Sequence, residues 1–353
     1  MMPEPRRTPT TAANSAPLAL PRPPRLGFVG LGWIGRHRLR AVAESELAEI
    51  VALCDPSPAC IDEARAIAPQ AQPAAGIDEL VDLDLDGLVI ATPNALHQQQ
   101  TIAALQRGIA VFCQKPLART ASETEQIVAA ARAANRDLDV DLSYRQVRAM
   151  QVVRKTLQEH AIGKVFAAEL IFHNAYGPDK PWFYQRELAG GGCVLDLGIH
   201  LIDLLLWGLG EPSVVSVDSR LFARGLRLGA EEVEDYATVQ LDLGGEITAR
   251  LACSWRLSAG CDAVIEASFY GTEGRVSLRN RNGSFYDFFA ELARGTRCEV
   301  LFEQPDAWGG RAALAWLRRL QDGGRFRSES ESLIRRAELI DRIYQRSSAE
   351  ERR

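Results

Sequence analysis

A basic excess is missing from this chain: 41 lysines and arginines face 46 aspartates and glutamates, for a net charge of -5. Nucleic-acid binders need cations to neutralise phosphates along the strand, so no nucleic-acid partner is expected. C-x-x-C pairs are missing too, and the seven cysteines (Cys54, Cys60, Cys113, Cys193, Cys253, Cys261 and Cys298) are odd in number and scattered. That distribution argues against a disulfide framework and a zinc site, leaves no metal expected, and fits a reducing compartment. No stretch approaches the roughly 20 apolar residues of a membrane span, and the one apolar run near the start, Pro17-Leu18-Ala19-Leu20, is too short for a signal-peptide core. A cytoplasmic protein without a membrane partner is the expectation. There is no internal repeat.

What is present is a 46% apolar, 25% charged composition over 353 residues, which suits a globular chain of two domains. Residues 1–24 carry seven prolines and read as a disordered leader, because such a segment cannot bury enough apolar surface to offset its ordering entropy. Over 25–143, strand patterns at 26–30, 50–54, 87–91, 110–113 and 138–142 alternate with helical patterns at 34–43, 58–68, 95–106 and 122–134. This βαβ rhythm predicts a doubly wound parallel sheet of the Rossmann type, an α/β domain. Over 144–353 the rhythm changes to a helix at 147–160, then strands at 165–173, 213–222, 236–243, 246–255 and 263–270 without crossover helices. Those strands predict an α+β domain around a large, mostly antiparallel open sheet. An apolar helix at 198–209 interrupts it, and helices return at 310–320 and 332–345.

Gly30-Leu31-Gly32-Trp33-Ile34-Gly35 is a G-x-G-x-x-G that follows a predicted strand and opens a predicted helix. Gly30, Gly32 and Gly35 permit the tight turn and let backbone amides, those of Trp33 and Ile34 included, approach a pyrophosphate at the helix N-terminus. Asp55 ends the second strand twenty residues beyond Gly35, placed to accept from ribose hydroxyls, or else to cap the next helix. The following Pro56-Ser57-Pro58 has no arginine for a 2′-phosphate, so NAD is the expected cofactor, with NADP less favoured. Ala91-Thr92-Pro93-Asn94 and Cys113-Gln114-Lys115-Pro116 end strands at the carboxyl edge, where open α/β sheets bind ligands. Thr92, Asn94, His97, Gln114 and Lys115 complete the expected cofactor contacts, with an N-cap as the other reading of Asn94.

The catalytic candidates are Lys115, Asp196 and His200. An ammonium at Lys115 can hydrogen-bond a substrate hydroxyl. Gly190-Gly191-Gly192 precedes Asp196 and His200, which are four residues apart; on a helix they share a face, where the carboxylate can fix the imidazole tautomer. The glycine triplet reads as a place where another molecule's backbone or ring comes close. Arg145, Tyr176 and Trp182 are substrate candidates, since aromatic faces and guanidinium donors suit a polyhydroxylated ring.

With GLGWIG at 30–35, ATPNALH at 91–97, QKP at 114–116 and GGGCVLDLGIHLID at 190–203 in this order, the chain from Arg25 onward resembles the Gfo/Idh/MocA family, the group of inositol dehydrogenases and glucose–fructose oxidoreductase. The resemblance implies an NAD(H)-dependent oxidoreductase acting on a hydroxyl of a sugar- or cyclitol-like small molecule. It implies that His200 takes the hydroxyl proton, Lys115 polarises the hydroxyl, and Asp196 orients His200 or the substrate. Gln114 departs from the family's usual Glu and removes a negative charge beside Lys115, making the ammonium easier to deprotonate than with Glu. The family also resembles NAD-sensing transcriptional regulators that keep the dinucleotide fold without catalysis, and NAD-dependent glycosidases or epimerases with transient redox; both stay open as alternatives. It further implies a homodimer or homotetramer through the second sheet, whose outer face is expected to be apolar.

Overall fold

The computed structural model describes residues 22–350, so most of the proline-rich leader lies outside the described residues. The first sheet takes the order β3-β2-β1-β4-β5-β6, all parallel. Its strands are β1 (Arg25–Val29), β2 (Glu49–Cys54), β3 (Gln72–Pro73), β4 (Gly87–Ile90), β5 (Ala110–Cys113) and β6 (Leu138–Val140). Central strands β4 and β5 are buried at every residue, as a parallel sheet covered on both faces requires. Helices α1 (Trp33–Ser45), α2 (Pro58–Arg65), α3 (Ile77–Val81), α4 (Asn94–Gln106) and α5 (Ala121–Ala134) supply the crossovers. The β3 and α3 pieces, two and five residues long, are too short to carry a readable period.

The second sheet has nine strands, with β7 (Val165–Asn174) at its centre. Beside it lie β11 (Ile247–Ser254), β10 (Tyr236–Leu243), β8 (Val214–Ala223) and β9 (Leu226–Arg227). The other flank is β12 (Ala263–Gly271), β13 (Gly274–Asn280), β14 (Phe288–Arg294) and β15 (Arg297–Phe302). Every pairing is antiparallel except β11 with β7. One face is packed by the amphipathic α6 (Arg148–Gln158) and by α8 (Ile199–Gly208), whose sequence IHLIDLLLWG is apolar nearly all round and is buried accordingly. The stretch Arg186–Gly208, which contains α8 and the short helix α7 (Arg186–Ala189), is long and apolar enough to cross a membrane, contrary to the expectation from the sequence; 83% of its apolar window is buried inside the protein.

Two expectations need correction. The outer face of the sheet is not simply apolar: Glu169, Arg250, Gln240 and Asp218 are exposed and in register across four neighbouring strands, a row of alternating polar partners. Nor does everything after residue 143 stay with the second sheet. Helix α9 (Arg311–Gln321) returns to the first: Trp316 is fully buried with its ring 5.7 Å from Phe112, and a Cβ at Gly87 would lie 2.6 Å from that indole. Arg319 donates to the buried Asp137 at 3.0 Å and pairs with Asp139, as Arg327 does from the following loop. Helix α10 (Ser332–Glu350) then lies against β8 and α5, bridging both halves.

Trp316→Ala should therefore destabilise the first domain by about 3–5 kcal/mol, the cost of emptying a large core site. Urea denaturation followed by circular dichroism measures it; a loss below about 1 kcal/mol would show that α9 is not part of that core.

Candidate active site

The turn after β1 shows two uses of glycine. Gly30 has φ +83°, and a Cβ there would press into the backbone of Ala91 and Thr92 at the end of β4. A Cβ at Gly35 would run into the carbonyl oxygen of Gly30, so both residues are small because the chain itself is close. At Gly32 a Cβ meets nothing within 4 Å, and Gly32 caps α1 without a side-chain hydrogen bond. The first amides of this 13-residue helix thus stand beside open space, which fits a pyrophosphate. Trp33, 62% exposed, and the partly buried Ile34 flank the opening. Asp55 accepts from the Leu31 amide at 2.6 Å and the Ser57 amide at 2.9 Å, which fixes its carboxylate while leaving lone pairs for ribose hydroxyls. The cap of α2 is Ser57, whose hydroxyl oxygen accepts from the Cys60 amide at 3.4 Å.

Along the same edge, Thr92 donates its hydroxyl to Gln100 at 2.6 Å. Asn94 does not cap its helix. Its amide donates to the Ala189 carbonyl at 2.8 Å, joining the first domain to the end of α7, just before the glycine triplet. His97, expected at the cofactor, is fully buried with its ring nitrogens 2.8 Å from the carbonyl oxygens of Pro116 and Thr92. It braces the turns after β4 and β5 from behind, and burial pushes its pKa down against the pull of those carbonyls. Gln114 is buried as well, and its amide donates to Asp141 at 2.5 Å, on the oxygen that also takes Arg38 Nε.

Lys115 leaves this edge toward the second domain. Its Nζ donates to Oδ1 and to the main-chain carbonyl of Asp196, each at 2.6 Å. The other carboxylate oxygen, Oδ2, accepts from the indole of Trp255 at 2.9 Å. Asp196 sits in the π-helical turn Val194–Gly198 that precedes α8, a local widening that recurs at functional sites. Among the described residues no hydrogen bond joins Asp196 to His200; the Asp196 oxygens face Lys115 and Trp255. The buried His200 Nδ1 has no hydrogen-bond partner among the described residues, and the ring lies 4.8 Å from that of Tyr144. Burial, helped by the nearby Lys115 charge and opposed by Asp203, pushes the His200 pKa well below its usual value. The imidazole is therefore neutral near pH 7, and its proton belongs on Nε2, because an N–H at Nδ1 would be buried without an acceptor.

The glycine triplet also has a different role from the one expected. A Cβ at Gly192 would collide with the Glu234 main-chain carbonyl, and one at Gly191 with the hydroxyl of Tyr344. The ring and backbone that come close belong to this chain. Glu234 is fully buried and accepts from the amides of Gly192 (3.0 Å) and Val194 (2.8 Å) and from the Tyr344 hydroxyl (2.8 Å). Burial raises its pKa and the donors oppose the rise. Its job is to seat the turn that carries Asp196.

Of the substrate candidates, Arg145 is spent on structure: it pairs through two nitrogens with the buried Asp203, which Arg336 also holds at 2.6 Å. Burial alone would raise the Asp203 pKa, and the two arginines overcome it and hold the group below its usual range. Trp182 stacks on Phe183 with ring centroids 3.8 Å apart, and Phe183 meets Trp255 edge-on at 6.3 Å. Tyr176 is 51% exposed, its ring 6.2 Å from that of Phe285. Trp255 and Glu234 were not singled out from the sequence; Trp255 lies 59 residues from its partner, and no local pattern marks such a pairing.

The two kinds of glycine separate experimentally. Gly32→Ala should leave the unfolding midpoint nearly unchanged and weaken NADH binding at least tenfold, as read by nicotinamide fluorescence. Gly192→Ala should lower the unfolding midpoint. The reverse pattern would overturn these assignments.

Comparison with known proteins agrees with this geometry. Residues 24–142 match the NAD-binding Rossmann fold of an oxidoreductase family, and residues 150–277 match the GFO/IDH/MocA C-terminal domain. The 1,5-anhydro-D-fructose reductase of Ensifer adhaerens is 31% identical over 217 residues, 60% of this chain and 63%, less than two thirds, of that protein. The inositol 2-dehydrogenase of Acidiphilium cryptum (strain JF-5) is 30% identical over 258 residues, 72% of this chain and 73% of its own length. In fold, a levoglucosan dehydrogenase in complex with NADH and L-sorbose superposes with a TM-score of 0.79 at 21% identity, covering 92% of this chain and 97% of its own. A glycine turn built to receive a dinucleotide, facing a lysine–aspartate pair contributed by two domains, thus belongs to a chain of the Gfo/Idh/MocA family of oxidoreductases, with NAD as its cofactor.

Proposed function

We propose that the protein is an NAD(H)-dependent dehydrogenase that oxidises a secondary hydroxyl of a neutral, sugar- or cyclitol-like ring, or reduces the matching ketone. The observation that carries this reading is the Lys115–Asp196 pair at 2.6 Å, set at the carboxyl edge beside the glycine turn. The relatives support the substrate class, since their names refer to an anhydrosugar and to inositol. NAD supplies the hydride acceptor, NADH the donor.

The chain's own part is the proton. An ammonium has three N–H groups; two of Lys115's point at Asp196, leaving one for the reacting oxygen. In the reducing direction Lys115 donates that proton to the carbonyl oxygen, and in the oxidising direction its neutral amine takes the hydroxyl proton back. His200, neutral with its proton on Nε2, donates a hydrogen bond to a substrate oxygen in place of acting as the base. Tyr176 and Trp182 supply aromatic faces for the ring. The protein acts in the cytoplasm as a homodimer or homotetramer joined through the second sheet, where the polar row across β7, β11, β10 and β8 would meet its own copy.

The test follows absorbance at the nicotinamide band with myo-inositol, D-glucose, levoglucosan and 1,5-anhydro-D-fructose, in both directions. Turnover of at least one compound is expected, with Lys115→Ala slower by about a thousandfold at unchanged NADH affinity. NADH binding with no chemistry on any sugar would favour a sensor. Conversion of a glycoside without net NADH would favour transient redox.

A further inference from the structure

Trp255 closes β11 inside the core, 3% exposed, with its main-chain N–H donating to the Asp235 carbonyl at 2.7 Å. Phe183 and Tyr184 meet its ring edge-on at 6.3 and 5.6 Å. A phenylalanine would fill most of this space. Burial by itself does not dictate a partner for the indole, because the buried indole nitrogens of Trp308 and Trp316 have no hydrogen-bond partner among the described residues. Trp255 nevertheless donates to Asp196 Oδ2 at 2.9 Å, opposite the oxygen that holds Lys115. A carboxylate held at one oxygen can still swing about its Cβ–Cγ bond; held at both, it is fixed in one plane. Lys115 takes its aim from that plane.

We propose that Trp255 is a positioning residue for hydride transfer, its indole N–H locking the Asp196 carboxylate so that the remaining N–H of Lys115 points at the reacting oxygen. The proposal rests on the dehydrogenase reading above. It also makes Trp255 the link between that carboxylate and the aromatic segment Pro181–Tyr184, since the indole touches both.

The experiment compares Trp255→Phe, Asp196→Ala and the double variant, using NAD with whichever panel sugar the intact protein turns over best. Trp255→Phe should lower kcat about 10- to 100-fold, the effect of losing a hydrogen bond to a charged group, with KM for the sugar and NADH affinity changed less than about threefold. In the Asp196→Ala background the same substitution should cost less than about twofold, because the group through which it acts is gone. An equal loss in both backgrounds, or a loss carried by KM and NADH affinity, would overturn the proposal in favour of a packing role. If the intact protein binds NADH and turns over nothing, the dehydrogenase reading fails, and the clamp is read without activity. In ¹⁵N-indole spectra of the intact protein and Asp196→Ala, one resonance among the six tryptophans must move. If none does, the clamp is absent, and this reading needs no Trp255 variant to fold.

Discussion

The Lys115–Asp196 ion pair spans the two domains, and the site has no meaning without it. Its side chains are only 19% and 16% exposed, so both charges have lost much of their water. Such a pair persists only when extra hydrogen bonds compensate, and removing one partner costs about 3–5 kcal/mol at buried sites. Here the compensation is visible: Lys115 gives two N–H groups to one residue, and Asp196 receives a second donor from Trp255. The pair needs the turn Val194–Gly198 held in place, and the buried Glu234 does that through the amides of Gly192 and Val194. The buried Glu234 carboxylate thus underlies the carboxylate of Asp196 that holds Lys115.

The two glycine motifs explain why some of this was legible in the sequence. In Gly30–Gly35 every consequence is local: strand, turn and helix lie within a dozen residues, and the open side of Gly32 follows from the turn itself. Gly190, Gly191 and Gly192 have the same chemistry, but their neighbours are Arg119, Tyr344 and Glu234, far off in the chain. A glycine run says that something comes close and not what it is. Strands and helices with a clear period were readable for the same local reason. Strand β15 was not, since every one of its residues is exposed or partly so and no alternation marks it.

Charged residues were the least legible. Arg145 has the donor geometry for a sugar, but its partner is Asp203, 58 residues away, and Arg336 completes the group from 133 residues away. Helix α9 reads as one more element of the second domain until Arg319 and Trp316 tie it to β6 and β5. Each is a case of tertiary pairing overriding local chemistry, and each moves charge away from the candidate site. Among the described residues, the charges of Lys115 and Asp196 at the candidate site pair with each other, as suits the neutral polyhydroxylated ring proposed above.

Gln114 shows the same logic applied to a departure from the family pattern. Read locally, an amide in place of the usual carboxylate deletes a negative charge beside Lys115. In the fold, that amide donates to Oδ2 of Asp141, which also accepts from Arg38, while Oδ1 of Asp141 is buried with no partner. A glutamate at 114 would set a second carboxylate against Asp141 in a place with almost no water, where like charges cannot both ionise without a large cost. Asp141 therefore requires a donor at 114, and Gln is the residue closest to Glu in shape that provides one. The carboxylate that Gln114 meets here is that of Asp141, the residue that follows β6. Arg38, reaching from α1, pairs with it there, so the helix that follows the glycine turn and the turn that carries Lys115 are joined through a single buried carboxylate.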